Sequence, residues 1–366
     1  MPYLNDRFHA QNTVPATAPP SGGKSTGTFD AAAIAARIAG RIIGQDPAVE
    51  AVHRALTLAQ AGVQDRERPL ASILLVGQTG VGKTELVRRL AAELRDGPDD
   101  LCRVDMSQLA QEHYAAAFAG APPGYAGSKE GISVFDRDKV EGGPLTPGIV
   151  LCDEVEKAHT SVLRALLGVL DRGTLRLANG QQTIDFRNSF VFLTSNLGSR
   201  ELARRRGATW RTALERPLER LTPADLGGRV RSLLARTEDG VVDRAVRRFF
   251  DPEFLNRLDD VVHFHELSTD SATRITELEL GDAVDRLRRR GMEVAVGPGA
   301  VRALRHEGFD PVLGARSLRR VVRHRVLAAA ADELVGQRAR GIERPSVRID
   351  ADAGGEVVVR ATDPAP

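Results

Sequence analysis

At 366 residues the chain is too long for one ordinary domain of about 100 to 200 residues, and its 42% apolar and 27% charged make-up is that of a globular protein able to bury a core without staples. Fifty-one basic against 49 acidic residues leave a formal charge of +2, which excludes a bulk electrostatic pull toward nucleic acid or anionic membrane. Two cysteines exclude a disulfide framework, and no leader-like segment or run of 18 apolar residues is present, so a cytoplasmic protein with no membrane partner is expected.

Residues 1 to 29 are rich in Pro, Ala, Thr, Ser and Gly and read as a flexible tail. Ser21-Gly22-Gly23-Lys24-Ser25-Thr26 ends like a phosphate loop, but no apolar strand precedes it and the first glycine of the pattern is missing. A helix is expected over residues 31–38 and another from Asp46 to about Ala61, with Asp46 as N-cap and Pro47 at the first helical position. Leu70 to Val76 then reads as a strand buried on both faces.

Further strands are expected at residues 101–105, 148–152, 189–194 and 260–264, alternating with helices at 85–94 and 161–170. That alternation predicts an α/β fold with a doubly wound parallel sheet over residues 30–267. Cys102 and Cys152 fall inside two of these strands and read as buried free thiols. Residues 200–248 form an Arg-rich insertion whose only tryptophan is Trp210, read as a solvated face. From residue 268 to 366 helices dominate, at 271–290, 299–307 and 315–335, with strand-like 346–350 and 357–361, so a smaller, mostly helical lid domain is expected.

Gly77-Gln78-Thr79-Gly80-Val81-Gly82-Lys83-Thr84 fits G-x-x-x-x-G-K-[ST] in full, directly after a buried strand and at the start of a helix. Its backbone N–H groups and the helix N-terminus suit phosphate, Lys83 suits the β- and γ-phosphates, and the Thr84 hydroxyl suits Mg²⁺. ATP and Mg²⁺ are therefore the expected cofactors. Seventy residues beyond Lys83, the strand ending in Asp153 and Glu154 offers one carboxylate for the metal and one as general base. Read alone, such a pair is an ordinary turn or cap; the preceding phosphate loop changes that. Thr194-Ser195-Asn196 ends the next strand, where a parallel sheet faces its ligand. His263 and His265 share one face of a strand, but no coordination set completes them and no metal is expected there.

Around these residues, over roughly 37 to 345, the chain resembles the Clp family of AAA+ ATPases, most closely the C-terminal ATPase module of ClpB, ClpA and ClpC chaperones. The resemblance rests on RIIGQD at 41–46, GQTGVGKTE at 77–85, GAPPGYAG at 120–127, DEVEKAH at 153–159, DFRN at 185–188, TSNLG at 194–198, PEFLNR at 252–257 and FDPVLGARSLRR at 309–320. It implies that Ile42 and Ile43 wall the adenine pocket, that Asp153 and Glu154 orient metal and activate water, and that Asn196 positions that water. It further implies that Arg257 is an arginine finger aimed at a neighbouring subunit's nucleotide, that Arg316 is a second sensor from the small domain, and that Tyr125 is a pore-loop residue gripping polypeptide.

The resemblance thus implies an ATP-hydrolysing homo-oligomer, a hexameric ring, that unfolds or remodels a polypeptide client by threading it through a pore. Ala126 stands where the family commonly has Val, and no second ATPase ring or middle domain fits before residue 40, so a single-ring unit is expected. Leu226-Gly227-Gly228 lacks the apolar third residue of a peptidase-docking tripeptide, so a ClpP-like peptidase is not an expected partner. A nucleotide-gated scaffold without threading is the alternative, and a nucleic-acid-acting protein, resting on the Arg-rich insertion alone, is a third reading.

Overall fold

The structure is a computed structural model and describes residues 29–111, 118, 134–143, 145–177, 183–199, 201–202, 239–309 and 315–362. Helix α1 (Ala31–Ala39) is N-capped by Asp30, whose side chain accepts from Ala33 N–H. The cap of α2 (Asp46–Ala61) differs from the expectation. Gln45 occupies the N-cap position and Asp46 the first turn, with Pro47 just inside. The Gln45 amide makes no capping bond because it is used elsewhere: Nε2 donates to the carbonyls of His265 at 2.8 Å and Val81 at 3.3 Å, and Oε1 accepts from His265 N–H at 3.1 Å.

Strand β1 (Ala71–Gly77) leads through the phosphate loop into α3 (Lys83–Leu94), followed by β2 (Cys102–Asp105) and β3 (Gly148–Asp153). Helix α4 (Thr160–Arg172), N-capped by the His159 side chain, precedes a hairpin of β4 (Thr174–Arg176) and β5 (Thr183–Asp185) that the sequence pattern did not reveal. Then come β6 (Ser189–Ser195), a helical stretch over 239–249, α5 (Pro252–Asn256) and β7 (Asp260–Phe264). The main sheet has the order β2-β3-β6-β1-β7, with every pairing parallel.

Because a strand's side chains alternate between faces, the three central strands feed two cores at once. Leu74, Val76, Val150, Cys152, Val191 and Leu193 pack on one side; Ile73, Leu75, Ile149, Leu151, Phe190 and Phe192 pack on the other. This two-sided burial is why those strands read as unbroken apolar runs. Both cysteines are free and buried in this sheet, and burial pushes the Cys102 thiol up to about 11 and that of Cys152 further.

The second unit begins with α6 (Thr269–Arg289), capped by Ser268, whose hydroxyl accepts from Ser271 N–H. It continues with β8 (Glu293–Val296), α7 (Ala300–Gly308), α8 (Ala315–Val321), a π-helical stretch Val322–Ala328, α9 (Ala329–Ala339), β9 (Ser346–Ala351) and β10 (Val357–Ala361). Where the sequence read a single helix from 315, the structure inserts the wider π turn. The two strand-like segments join β8 in a three-stranded sheet, β10-β9-β8, closing a third core around Leu304, Leu318, Val326 and Val347.

Gly77, the last residue of β1, ties the sheet to the loop. A Cβ there would lie 2.6 Å from the Phe264 carbonyl oxygen and 2.8 Å from Phe264 Cβ on the adjacent β7. Gly77→Ala should therefore force these strands apart and cost about 1–3 kcal/mol. A urea-unfolding midpoint equal to that of the parent chain would show that β7 yields without cost.

Candidate functional site

Strands β3, β6 and β1 lie side by side and parallel, so the residues just beyond their C-terminal ends converge. They meet at a cavity of about 510 Å³. Thr79, Gly80, Val81, Gly82, Lys83 and Thr84 line it from the phosphate loop, Asp153 and Glu154 from the end of β3, and Asn196 from the end of β6. The buried Ile42 and Ile43 supply an apolar wall, and Arg316 reaches in from α8. Gly77 and Gln78 lie behind the loop and contribute carbonyl oxygens. Gly82, at the N-cap of α3, has φ 110°, a value a β-carbon would strain, which leaves the helix N-terminus open to an anion.

Lys83 is the most constrained polar group in the site. Its ammonium has three N–H donors and all are spent inside the chain, on Gly77 O at 2.6 Å, Gln78 O at 2.7 Å and Asn196 Oδ1 at 2.9 Å. Burial lowers its pKa to about 8; Glu156, Asp153 and Glu154 oppose that shift and Arg316 adds to it. A phosphate entering the loop must take over at least one of these donors.

Thr194 holds the acidic pair. Its hydroxyl donates to Asp153 Oδ1 at 2.5 Å and accepts from the Glu154 backbone N–H at 3.0 Å. Glu154 has φ 58°, the one non-glycine residue with positive φ among the described residues, a conformation costing about 1 kcal/mol. Its carboxylate meets Lys157 Nζ at 2.5 Å and Asn196 Nδ2 at 3.4 Å. Asp153 Oδ2 takes the Arg103 guanidinium at 2.5 Å. Glu156 accepts from Asn196 N–H at 3.1 Å through Oε1, while its Oε2 is buried without a partner.

The Thr84 hydroxyl and the Asp153 carboxylate share this cavity, and hard oxygen donors of that kind suit magnesium, which takes its remaining ligands from water and phosphate. Among the described residues, no group of three or more His, Cys, Asp or Glu side chains forms a metal cage by itself. His263 and His265 face carboxylates: His263 Nε2 lies 3.0 Å from Asp243 Oδ1, and His265 Nδ1 3.7 Å from Asp239 Oδ1.

Two assigned residues stand apart from this cluster. Arg257 does not line the cavity; its guanidinium pairs with Asp171 and lies 4.0 Å from Glu253. Tyr125 and its loop lie outside the described residues, as do Leu226-Gly227-Gly228 and most of the Arg-rich insertion. The sequence reading passed over Gln45, Arg103, Glu156 and Arg319. Gln45 sits inside a quoted motif, but only its near-complete burial marks it as a brace between the phosphate loop and the end of β7.

A phosphate loop at the C-terminal edge of a parallel sheet, with a polar residue at the end of the adjacent strand, acidic residues at the end of the strand beyond it and a helical small domain carrying arginine, defines an AAA+ nucleotide hydrolase. A family model described as the AAA domain (Cdc48 subfamily) matches residues 68–261, and one for the C-terminal, D2-small domain of ClpB protein matches residues 267–347. The chain belongs to the Clp family of AAA+ ATPases and corresponds to the C-terminal ATPase module of ClpB-type chaperones.

The chain is 54% identical over 328 residues to an ATP-dependent protease ATP-binding subunit-like protein of Rhodococcus erythropolis, a match covering 88% of this chain and 89% of that one. It is 39% identical over 318 residues to the chaperone protein ClpB of Corynebacterium diphtheriae, covering 87% of this chain and 32% of that one. A closed-state cryoEM reconstruction of Hsp104 with ATPyS and FITC casein superposes at a TM-score of 0.68 and 27% identity, over 90% of this chain and 51% of that one. The chain thus spans about a third of that ClpB relative and most of the Rhodococcus protein. No helix among the described residues is long and apolar enough to cross a membrane.

The state of Lys83 gives a pH signature. An incoming phosphate favours the ammonium, so binding to the half-deprotonated amine takes up a proton. The contribution of Lys83 to affinity then falls as pH rises through about 8, by on the order of tenfold per unit until the occupied-site pKa is reached. Fluorescent-nucleotide titration in magnesium-free buffer measures this; an affinity independent of pH above about 8 would remove Lys83 from the phosphate contact.

Proposed function

We propose that this chain is the subunit of an ATP-driven ring, a hexamer, that unfolds or remodels a polypeptide client by drawing it past Tyr125. The observation that carries the reading is the convergence of Lys83, Asp153, Glu154 and Asn196 on one cavity, while Arg257 stands outside it. ATP fits that cavity with its base against Ile42 and Ile43 and its phosphates in the loop from Gly77 to Thr84. When bound, magnesium neutralises charge on the β- and γ-phosphates, and Thr84 and Asp153 are the residues to hold it.

Glu154 acts as general base for the attacking water. Its backbone has positive φ, and its carboxylate lies 3.4 Å from the Asn196 amide nitrogen, a second polar group that can orient the water. Arg316 adds positive charge from the lid. Arg257, paired with Asp171 on its own chain and half-exposed, suits a role in the neighbour's site, which makes hydrolysis depend on ring closure. A cytoplasmic location goes with this reading. The casein in the Hsp104 reconstruction makes unfolded casein a suitable probe client.

Steady-state hydrolysis with particle mass recorded in the same ATP-containing buffer tests the reading. Glu154→Gln should bind ATP and lose at least about 100-fold in turnover. Lys83→Ala should lose binding, and Arg257→Ala should lose about a thousandfold in turnover while still binding. Normal turnover by Glu154→Gln would sink the general base, and an ATP-bound monomer without turnover would move the assignment to a nucleotide-gated scaffold.

Tyr125→Ala should leave basal hydrolysis within about twofold and abolish unfolding of a stably folded client protein. Unchanged unfolding would remove the pore-loop role. Adding a ClpP-type peptidase to the same assay addresses the protease-related name of the Rhodococcus relative; degradation of the client would overturn the expectation drawn from Leu226-Gly227-Gly228.

A further inference from the structure

We propose that Arg319 is a positioning residue that sets where Arg316 enters the nucleotide cavity, by bridging the phosphate-loop helix of the large domain and the first helix of the small one. The inference rests on the ATP reading above and deepens it.

Helix α8, which carries both arginines, has only seven residues. It is fixed within the small domain by the fully buried Leu318 and by the Ser317 hydroxyl, which donates to Gly308 O at 2.6 Å. Gly308 is pressed against it so closely that a Cβ there would lie 2.8 Å from Leu318 Cδ1. The helix therefore moves with the small domain, and contacts across the domain boundary decide its height above the phosphate loop.

At the loop itself Ala315 N–H donates to Gly80 O at 3.1 Å, and on the far side of the turn Arg41 pairs with Asp282 at 2.8 Å. Arg319 provides the side-chain tie to the helix that follows the loop. Its Nη1 lies 3.0 Å from Glu85 Oε2, on the residue directly after Thr84, and its Nε lies 2.7 Å from Glu279 Oε1 on α6.

The two arginines on this short helix are used differently. Both arginines line the cavity, but the described residues offer Arg316 no ion pair within 4.0 Å. Arg319, three residues on, is held by two carboxylates that are each about four-fifths covered. Glu85 is bound on both oxygens, by Arg89 at 2.8 Å and by Arg319. Burial would raise its carboxyl, but Arg319, Arg89 and Arg88 hold it below the usual range. Arg319 itself is about two-fifths exposed, so solvent screens part of the pair's strength, but two acceptors in fixed positions define orientation as well as distance. Lysine would keep the charge but lacks the planar fork that fixes both acceptors in one geometry.

ATPase kinetics on the full chain in its assembled state, for Arg319→Met, Arg319→Lys, Arg316→Ala and the Arg316→Ala/Arg319→Met double variant, separate positioning from bulk stability. Arg319→Met should lower kcat/KM about tenfold, Arg319→Lys should recover part of that, and the double variant should be no worse than Arg316→Ala alone. If the two losses multiply in the double variant, Arg319 acts independently of Arg316 and the inference fails while the ATP reading stands. If Arg316→Ala turns over ATP as the parent chain does, the assignment of Arg316 fails and takes the inference with it. Glu279→Gln provides a milder break should Arg319→Met fold poorly. It removes only the small-domain half of the bridge, and its loss should likewise vanish in the Arg316→Ala background; a loss that persists there overturns the inference.

Discussion

A buried ammonium is the constraint around which the site is built. Taking the Lys83 charge out of water is costly unless hydrogen-bond acceptors surround it and negative charge lies close by. Two carbonyls of its own loop and the Asn196 side chain supply the acceptors. Glu156, Asp153 and Glu154 supply the negative charge. Each of those groups is held by another: Asn196 N–H by Glu156, Asp153 and Glu154 by Thr194, and the loop by Gln45. The result is a network poised to exchange internal partners for phosphate oxygens without rebuilding its framework.

The framework comes from the sheet. With β3, β6 and β1 adjacent and parallel, three chain segments far apart in sequence deliver their polar ends to one edge, while their bodies are clamped between two apolar cores. Close packing leaves little room to adjust, as the contact between Gly77 and Phe264 illustrates. Among the described residues, the polar contacts across the boundary between the large and small units are Arg41 with Asp282, Arg319 with Glu85, and one backbone bond from Ala315 to Gly80. Such contacts can be exchanged at modest cost, which suits a lid whose angle follows the nucleotide state.

Much of this was legible beforehand. The phosphate loop, the acidic pair and Asn196 announce themselves because each is short and local, sits at the end of an apolar run, and needs particular residue types at fixed spacing. Positions that depend on a partner from elsewhere were not legible. Glu156 looks like one more acidic residue in a charged string until it is found beneath Asn196. Arg319 is one arginine among 46 until Glu85 and Glu279 close on it. The β4–β5 hairpin and strand β8 were missed because each of these strands is three or four residues long with a single buried position, too little to leave a pattern.

By itself the sequence determined the family, the alternation of strand and helix, and most of the groups that converge on the cavity. Those are properties of contiguous segments, and local propensity with hydrophobic patterning encodes them directly. Only the tertiary structure decided that Lys83 is buried with all its donors committed, that Arg257 turns away from its own cavity toward Asp171, and that Arg316 and Arg319, three residues apart on one short helix, have different partners. Burial and pairing are set by groups that come together from distant parts of the chain, so the spacing of residues along it does not carry them.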